Sequence, residues 1–368
     1  MRMAKGYAPC HLFRGLPAML KRLFAAGAIA ALSLSACAPE AAEVSSAADA
    51  GEINLFTARH YASDAAVYAA FTEETGIRVN VLEAPADQLI ERMRAEGARS
   101  QADVVITVDA GRLWRADQAG LFQPAPELAD TLNAVPANLR HPDGHWFGFA
   151  SRVRVVVFAR DRVDASEITD FLDVAGERWR GRLCVRSSNN VYNQSLLAGL
   201  IDAVGPEQAE SWAAGVAANI ARAPQGGDTD QIRAVAAGEC DIAIVNHYYL
   251  ARLQRTEDPA DRAVAEAVDI VFPSLAGRGA PFNISGAGLA ANAPNRDNAL
   301  AFLAFLLTEH GQRQFAELTN EFPVVEGVTY DNDVLAAYPQ ITPDPVNVNR
   351  LGENATAAQR IFDRVGWP

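Results

Sequence analysis

The sequence predicts an α/β protein of two lobes around a cleft, and three observations lead there. Short apolar strands alternate with helix-patterned stretches, the order of a mostly parallel sheet flanked by helices. The 368 residues suffice for two domains of ordinary size with real cores. More than one strand-like stretch reads as crossing between the lobes, and clefts between lobes are where ligands sit. Hydrophobic content of 49% with 21% charged residues is that of a globular chain. The formal net charge of -13 argues against nucleic acid and anionic membrane surfaces as partners.

An export signal opens the chain. Lys21 and Arg22 precede the apolar run 23–34, and Leu34-Ser35-Ala36-Cys37 follows. A basic region, a short apolar run and small residues before a cut form the secretory pattern, and the run is too short to span a bilayer. A cysteine directly after Leu-Ser-Ala resembles a bacterial lipobox, which implies cleavage before Cys37 and lipidation of its thiol. Cleavage nearby without a lipid is the alternative. Residues 1–37 therefore read as a signal peptide, and 38–51, without periodicity, as a flexible tether.

The fold begins with a strand at 53–56, followed by Thr57-Ala58-Arg59-His60-Tyr61. A helix at 63–75 ends at Gly76; 77–82 is a strand, 86–96 a helix and 103–108 a strand. Asp109 opens a helix that Gly120 stops, and 124–146 is proline-rich and irregular. The stretch 146–158, containing Ser151-Arg152-Val153-Arg154, crosses into a second lobe. There 184–186 is a strand, 193–204, 207–219 and 231–237 are helices, and 241–245 is a short buried strand. Strands at 268–272 and 283–289 follow, the latter crossing back, with helices at 296–308 and 312–318.

The chain is organised around GECDIAIVNHYYLARL, residues 238–253. After the strand, Asn246 has the chemistry of an N-cap, so Tyr248 and Tyr249 fall where a helix begins. Successive side chains point to opposite faces of a strand but diverge by only about 100° on a helix. Two phenols can therefore converge where a strand ends, which is where open α/β sheets bind ligands. Cys184 lies eight residues before Tyr192, and Cys240 eight before Tyr248. If those strands are parallel neighbours, equal offsets put both sulfurs at one level and both tyrosines at one mouth. A disulfide follows in an oxidising compartment; two separate buried thiols are the alternative.

Tyr61, Tyr192, Tyr248 and Tyr249 all follow predicted strands, and His60 adjoins Tyr61. A single rim tyrosine is ordinarily a packing or ligand-stacking ring. Four with a histidine point to a metal. Phenolate is a hard anionic donor that must lose a proton of pKa about 10 to bind, and Fe(III) is the biological cation that suits it. Calcium draws on carboxylates and zinc on cysteine and histidine. His247 points elsewhere, and histidines 141, 145 and 310 read as surface or loop. Arg152, Arg154 and Arg252 are placed to neutralise phenolates or hold a small anion, or else form ordinary salt bridges. The turn 186–194, with Ser188 and Asn189, is either a ligand cradle or plain helix capping. No G-x-S-x-G elbow or phosphate loop occurs, and nothing asks for an enzyme.

The stretches LFTARHY, ITVDAGRLWRA, RSSNNVYNQS, PQGGDTDQIRAVAAGECDIAIVNHYYLARL and NISGAG resemble those of the ferric-ion-binding substrate-binding proteins of bacterial ABC transporters. The similarity runs from about residue 52 to the C-terminus. It implies a type II periplasmic-binding-protein fold, with an N-lobe of 52–153 and 277–325 and a C-lobe of 154–276 and 326–368. It implies Fe(III) held by Tyr61, Tyr192, Tyr248 and Tyr249, with His60 ligating in some members. A synergistic anion such as carbonate replaces the counterpart of Tyr192 in others. It further implies a periplasmic carrier that delivers iron to an inner-membrane permease and its ATPase; with the lipobox at Cys37, the chain reads as a lipid-anchored monomer. His247 departs from the small polar residue, often threonine, expected before the double tyrosine. The rival readings are a carrier of an organic ligand stacked on the tyrosines and an iron-tyrosinate enzyme.

Overall fold

In the computed structural model the described residues are 50–368; the export signal, Cys37 and most of the tether lie outside them. β1 (Glu52–Thr57), α1 (Asp64–Thr75), β2 (Arg78–Glu83), α2 (Ala86–Glu96), β3 (Val104–Thr107) and α3 (Ala110–Gln118) alternate as expected. β1 pairs in parallel with β2 and β3. The proline-rich stretch holds only the short α4 (Ala129–Leu132) and 3-10 turns before β4 (Phe147–Ala159). Then come β5 (Leu183–Cys184), α5 (Val191–Val204), α6 (Pro206–Asn219), α7 (Asp228–Ala236), β6 (Ile242–Asn246) and α8 (His247–Arg255). The chain continues through α9 (Pro259–Ala267), β7 (Val268–Val271), β8 (Phe282–Leu289), α10 (Arg296–Phe305), α11 (Glu309–Gln314) and β9 (Phe322–Pro323). α12 (Asp333–Ala337), α13 (Asn349–Glu353) and α14 (Ala355–Val365) complete it. None of the described helices is long and apolar enough to cross a membrane.

The strands follow the path β2-β1-β3-β8-β4-β6-β5, with β7 and β9 also paired to β4. Parallel pairing holds within β2-β1-β3 and between β5 and β6, as βαβ crossovers require. The crossing strands β4 and β8 are antiparallel to each other and to their other neighbours. β8 approaches closely because it alternates glycines: a Cβ at Gly286 would lie 2.4 Å from Leu113 Cδ1, and one at Gly288 2.6 Å from Phe122 Cδ1. One core gathers Leu55, Phe71, Val105, Leu113, Phe149 and Phe302 around β1 and β3. Two others lie on opposite faces of the second lobe's sheet, one with Trp179, Leu197 and Phe362, the other with Ile232, Leu250 and Leu253.

Cys184 and Cys240 form a disulfide, with Cα atoms 5.8 Å apart. The pairing agrees with the sequence reading, but the register behind it does not. In the β5–β6 pair Cys184 stands opposite Ala243, three residues beyond Cys240. The offsets differ because six residues separate β5 from α5, whereas α8 follows β6 directly. The disulfide therefore ties β5 to the turn entering β6, beneath the tyrosine-bearing helix starts.

His247 opens α8 and points away from the neighbouring tyrosines. Its ring stacks on Phe322 at 4.5 Å, and its Nδ1 accepts the Val153 N–H at 3.2 Å. Burial pushes its pKa down to about 3, so the ring is neutral when folded.

Two outcomes are expected. Replacing both Cys184 and Cys240 by Ala should cost about 4 kcal/mol, the loop-entropy value for a crosslink of this span, read as a lower urea midpoint at unchanged slope. Because the unfolded His247 binds a proton that the folded one excludes, stability is full above the unfolded pKa of about 6.5 and falls as acid is added. The Asn replacement His247→Asn keeps an acceptor for Val153 and should flatten the fall in urea midpoint between about pH 7 and about pH 5; an unchanged slope would refute this origin.

Candidate functional site

Three segments bring tyrosine hydroxyls together. Tyr61 lies in the loop after β1, Tyr192 in the first turn of α5, and Tyr248 in the first turn of α8. The Tyr61 and Tyr248 hydroxyls are 3.0 Å apart, and Tyr248 donates to the Tyr192 hydroxyl at 3.3 Å. Tyr249 lies against Tyr248, with ring centroids 4.4 Å apart. The four predicted tyrosines thus form one cluster. His60 is exposed beside Tyr61, its ring 5.1 Å away. It lines a cavity of about 770 Å³ with Tyr192, Tyr249, Arg112, Arg186 and Asn189.

Local structure explains each position. Asn190 caps α5 by accepting the Tyr192 N–H at 3.2 Å, which fixes the first turn. Ser188 and Asn189 are therefore not the capping residues. The Ser188 N–H donates to the Pro368 carbonyl, while Asn189 accepts from Ser187 Oγ and lies at the cavity. Asp228, at the start of α7, accepts the Asn246 N–H at 2.8 Å and joins the end of β6 to Arg154 at 2.7 Å. Arg59 fixes the Tyr61 loop by a two-pronged bond to Asp64, at 2.9 and 2.8 Å, and a third contact to Glu321 at 2.7 Å.

Guanidinium groups surround the cluster. Arg59 lies 4.9 Å from the Tyr61 ring centre; Arg252 lies 5.5 Å from Tyr61 and 5.6 Å from Tyr249. Arg152, Arg154 and Arg186 each stand within 5.8 Å of the Tyr192 ring. Arg154 is held by Asp228 and by Asn193 at 2.8 Å. Arg152 reaches Ser285 at 2.9 Å and Glu321 at 3.5 Å, while its Nε and Nη2 have no hydrogen-bond partner. Arg152, Arg154, Tyr192, Ser195, Asn246 and Asn283 line a small cavity of about 30 Å³, enough for one water.

Burial raises Tyr61 and Tyr248 well above the ordinary phenol value, and each neighbouring tyrosine adds to the shift. Tyr249 is raised for the same first reason, with Tyr192 and Asp228 adding and Arg186 opposing. Tyr61, Tyr248 and Tyr249 are therefore neutral, and the Tyr248 hydroxyl bonds those of Tyr61 and Tyr192. Burial also pulls Glu321 upward, but Arg59 and Arg152 outweigh it and hold its carboxyl below the usual range.

Asp64, Asp228 and Glu321 were absent from the sequence reading because each is recognisable only through the arginine it meets. His141 and His145 lie in a loop as expected, and there both reach Asp117, at 3.5 and 2.5 Å.

The chain is similar to known proteins along most of its length. The family model for the bacterial extracellular solute-binding protein matches residues 66–343. Iron uptake protein A2 of Synechocystis is 49% identical over 318 residues, 86% of this chain and 90% of that protein. Iron uptake protein A1 of the same organism is 44% identical, covering 91% and 93%. A Trichodesmium protein solved in complex with iron and citrate superposes with a TM-score of 0.81 at 48% identity, over 86% of this chain and all of that one. A ferric binding protein from Campylobacter jejuni gives 0.81 at 34% identity, over the same shares. The chain belongs to the bacterial extracellular solute-binding protein family, in the group that holds the ferric-iron-binding proteins of ABC transporters.

Proposed function

We propose that this chain captures Fe(III) in the cleft through the phenolates of Tyr61, Tyr192, Tyr248 and Tyr249 and delivers it to an ABC permease driven by its ATPase. The hydroxyl chain Tyr61–Tyr248–Tyr192, assembled from three segments with guanidiniums behind the rings, carries the reading. Loading exchanges phenol protons for the cation. Burial has made the protons of Tyr61, Tyr248 and Tyr249 harder to remove, so only a small, highly charged ion offsets their loss. The arginines lower the cost by facing the charge that develops. His60, beside Tyr61, is the candidate further ligand. A small anion such as carbonate, or a chelator entering through the adjoining cavity, completes the coordination; the Trichodesmium relative solved with iron and citrate supports the latter.

The lobes, 52–153 with 277–325 and 154–276 with 326–368, close on the cargo because the tyrosines come from both. Export to the periplasm with a lipid on Cys37 would keep this monomeric carrier at the membrane beside its permease. The activity is transport without turnover.

Titrating the chain with ferric citrate should raise a phenolate-to-iron absorption band that saturates at about one iron per chain. The double variant Tyr248→Phe, Tyr249→Phe should fold normally and lose both the band and tight binding; retained micromolar affinity would overturn the assignment. Affinity should also fall as pH falls, by about tenfold per pH unit for each phenol proton displaced. Equilibrium titrations against a competing chelator between about pH 8 and about pH 6 check this, and a pH-independent affinity would contradict phenolate ligation.

A further inference from the structure

Asp117, His141 and His145 form a second constellation, away from the tyrosines. Asp117 is in the last turn of α3, whose N-cap Asp109 bonds Ser195 and Asn283 near the cleft. Eight residues of helix separate the two carboxylates, about 12 Å. His141 and His145 sit on the turn leading into β4, closed by the Gly144 N–H to the His141 carbonyl and the His141 N–H to the Trp146 carbonyl. The turn stacks the two imidazoles with centroids 4.7 Å apart and planes 2° from parallel. Each ring then aims one nitrogen at a different oxygen of one carboxylate: His145 Nδ1 at Oδ1, 2.5 Å, and His141 Nε2 at Oδ2, 3.5 Å.

The geometry points to a divalent transition-metal site of the zinc class, with His141 Nε2, His145 Nδ1 and an Asp117 oxygen as ligands. Among the described residues this is the one group of three or more histidines, cysteines and carboxylates whose ligand atoms lie within 4.8 Å of one another. A tetrahedral ion with bonds of about 2.0–2.2 Å spaces its ligands about 3.4 Å apart, so side-chain adjustment suffices. Two imidazoles and one carboxylate are a nitrogen-rich set that suits zinc, nickel or cobalt over calcium or magnesium, and water fills the remaining position. Neutral imidazole is the ligand form. His141 Nδ1 accepts the Asp143 N–H at 3.1 Å, which puts the ring proton on Nε2, facing Asp117. Loading through Nε2 moves that proton to Nδ1, which gives up the bond from the Asp143 N–H, and moves the His145 proton to Nε2; no proton need leave the protein.

The ion would join the turn before β4 to the end of α3. The side chains are 9%, 13% and 28% exposed at Asp117, His141 and His145, so the cluster is sheltered but open to an ion from solvent. Its role would be to hold the root of the strand that runs between the lobes.

The test uses the full chain without a histidine tag, in the Tyr248→Phe, Tyr249→Phe background so that the tyrosine cluster does not compete for metal. Zinc chloride is titrated by calorimetry and thermal melting. The expected result is about one Zn²⁺ per chain with a rise in melting temperature. Both should vanish when His141→Ala and His145→Ala are added. Asp117→Asn, nearly isosteric, serves if the histidine variant does not fold. No zinc binding in the tyrosine background, or unchanged binding without these side chains, would show the cluster to be a hydrogen-bonded pair alone.

Discussion

The site depends on Glu321, a carboxylate with 1% of its side chain exposed between two guanidiniums. It accepts Arg59 at 2.7 Å and Ser285 at 2.8 Å, and stands 3.5 Å from Arg152. Removing one member of such a buried group strands the others and costs about 3–5 kcal/mol. The arginines are tolerated at this depth because Glu321 and Asp64 answer them. Arg59 lies against the Tyr61 ring and Arg152 against that of Tyr192. One carboxylate therefore positions positive charge beside tyrosines of different segments, and it joins the loop after β1 to β4 and β8.

Two opposed effects meet at the phenols. Burial penalises the phenolate and is the larger for Tyr61, Tyr248 and Tyr249; the nearby arginines favour it and are the smaller. The balance leaves Tyr61, Tyr248 and Tyr249 neutral, and the Tyr248 hydroxyl is paired with Tyr61 at 3.0 Å and with Tyr192 at 3.3 Å. A site built this way rejects weakly charged ions, because they return less than the deprotonation costs. The same balance favours release when the cargo's charge falls. Selectivity under the proposed function thus comes from the price of ionising buried phenols as much as from ligand spacing.

The strand-to-helix junctions were legible in the sequence because their signals are local. An apolar run and a tyrosine in the next turn lie within about ten residues. Asn246 stands at the expected N-cap position but makes no side-chain cap bond, its Oδ1 accepting from Arg154 instead. α5 starts two residues before the expected 193, capped by Asn190. The start of α9 was equally local, with Asp258 capping and Pro259 at the first position, yet the reading passed over it. Asp228 and Glu321 were illegible for a different reason. Arg154 finds Asp228 across 74 residues, and Arg59 finds Glu321 across 262. Nothing in either neighbourhood names the partner. The β5–β6 register failed likewise, since equal spacing in sequence says nothing of unequal loops. Asp117 with His141 belongs to the same class: a helix end and a distant turn share no pattern.

β4 shows why the site cannot slip. Its 13 residues are all buried, and they alternate between faces. Val153, Val155 and Val157 fill one core, while Val156 and Phe158 enter the other. Arg152 and Arg154 fall on the same parity as Val156, two residues and about 7 Å apart. Arg152 is answered by Ser285 of β8 and by Glu321 just before β9, and Arg154 by Asp228 of α7 and Asn193 of α5. A slip of one residue would turn both arginines into an apolar core and put valines against the tyrosines. Neither exchange is tolerable, because one buries unpaired charge and the other takes Arg154 from Asp228 and leaves Glu321 with Arg59 as its one guanidinium. The hydrophobic register of a single strand and the charge balance of the cleft are therefore one constraint, and the strand is held in place from both sides.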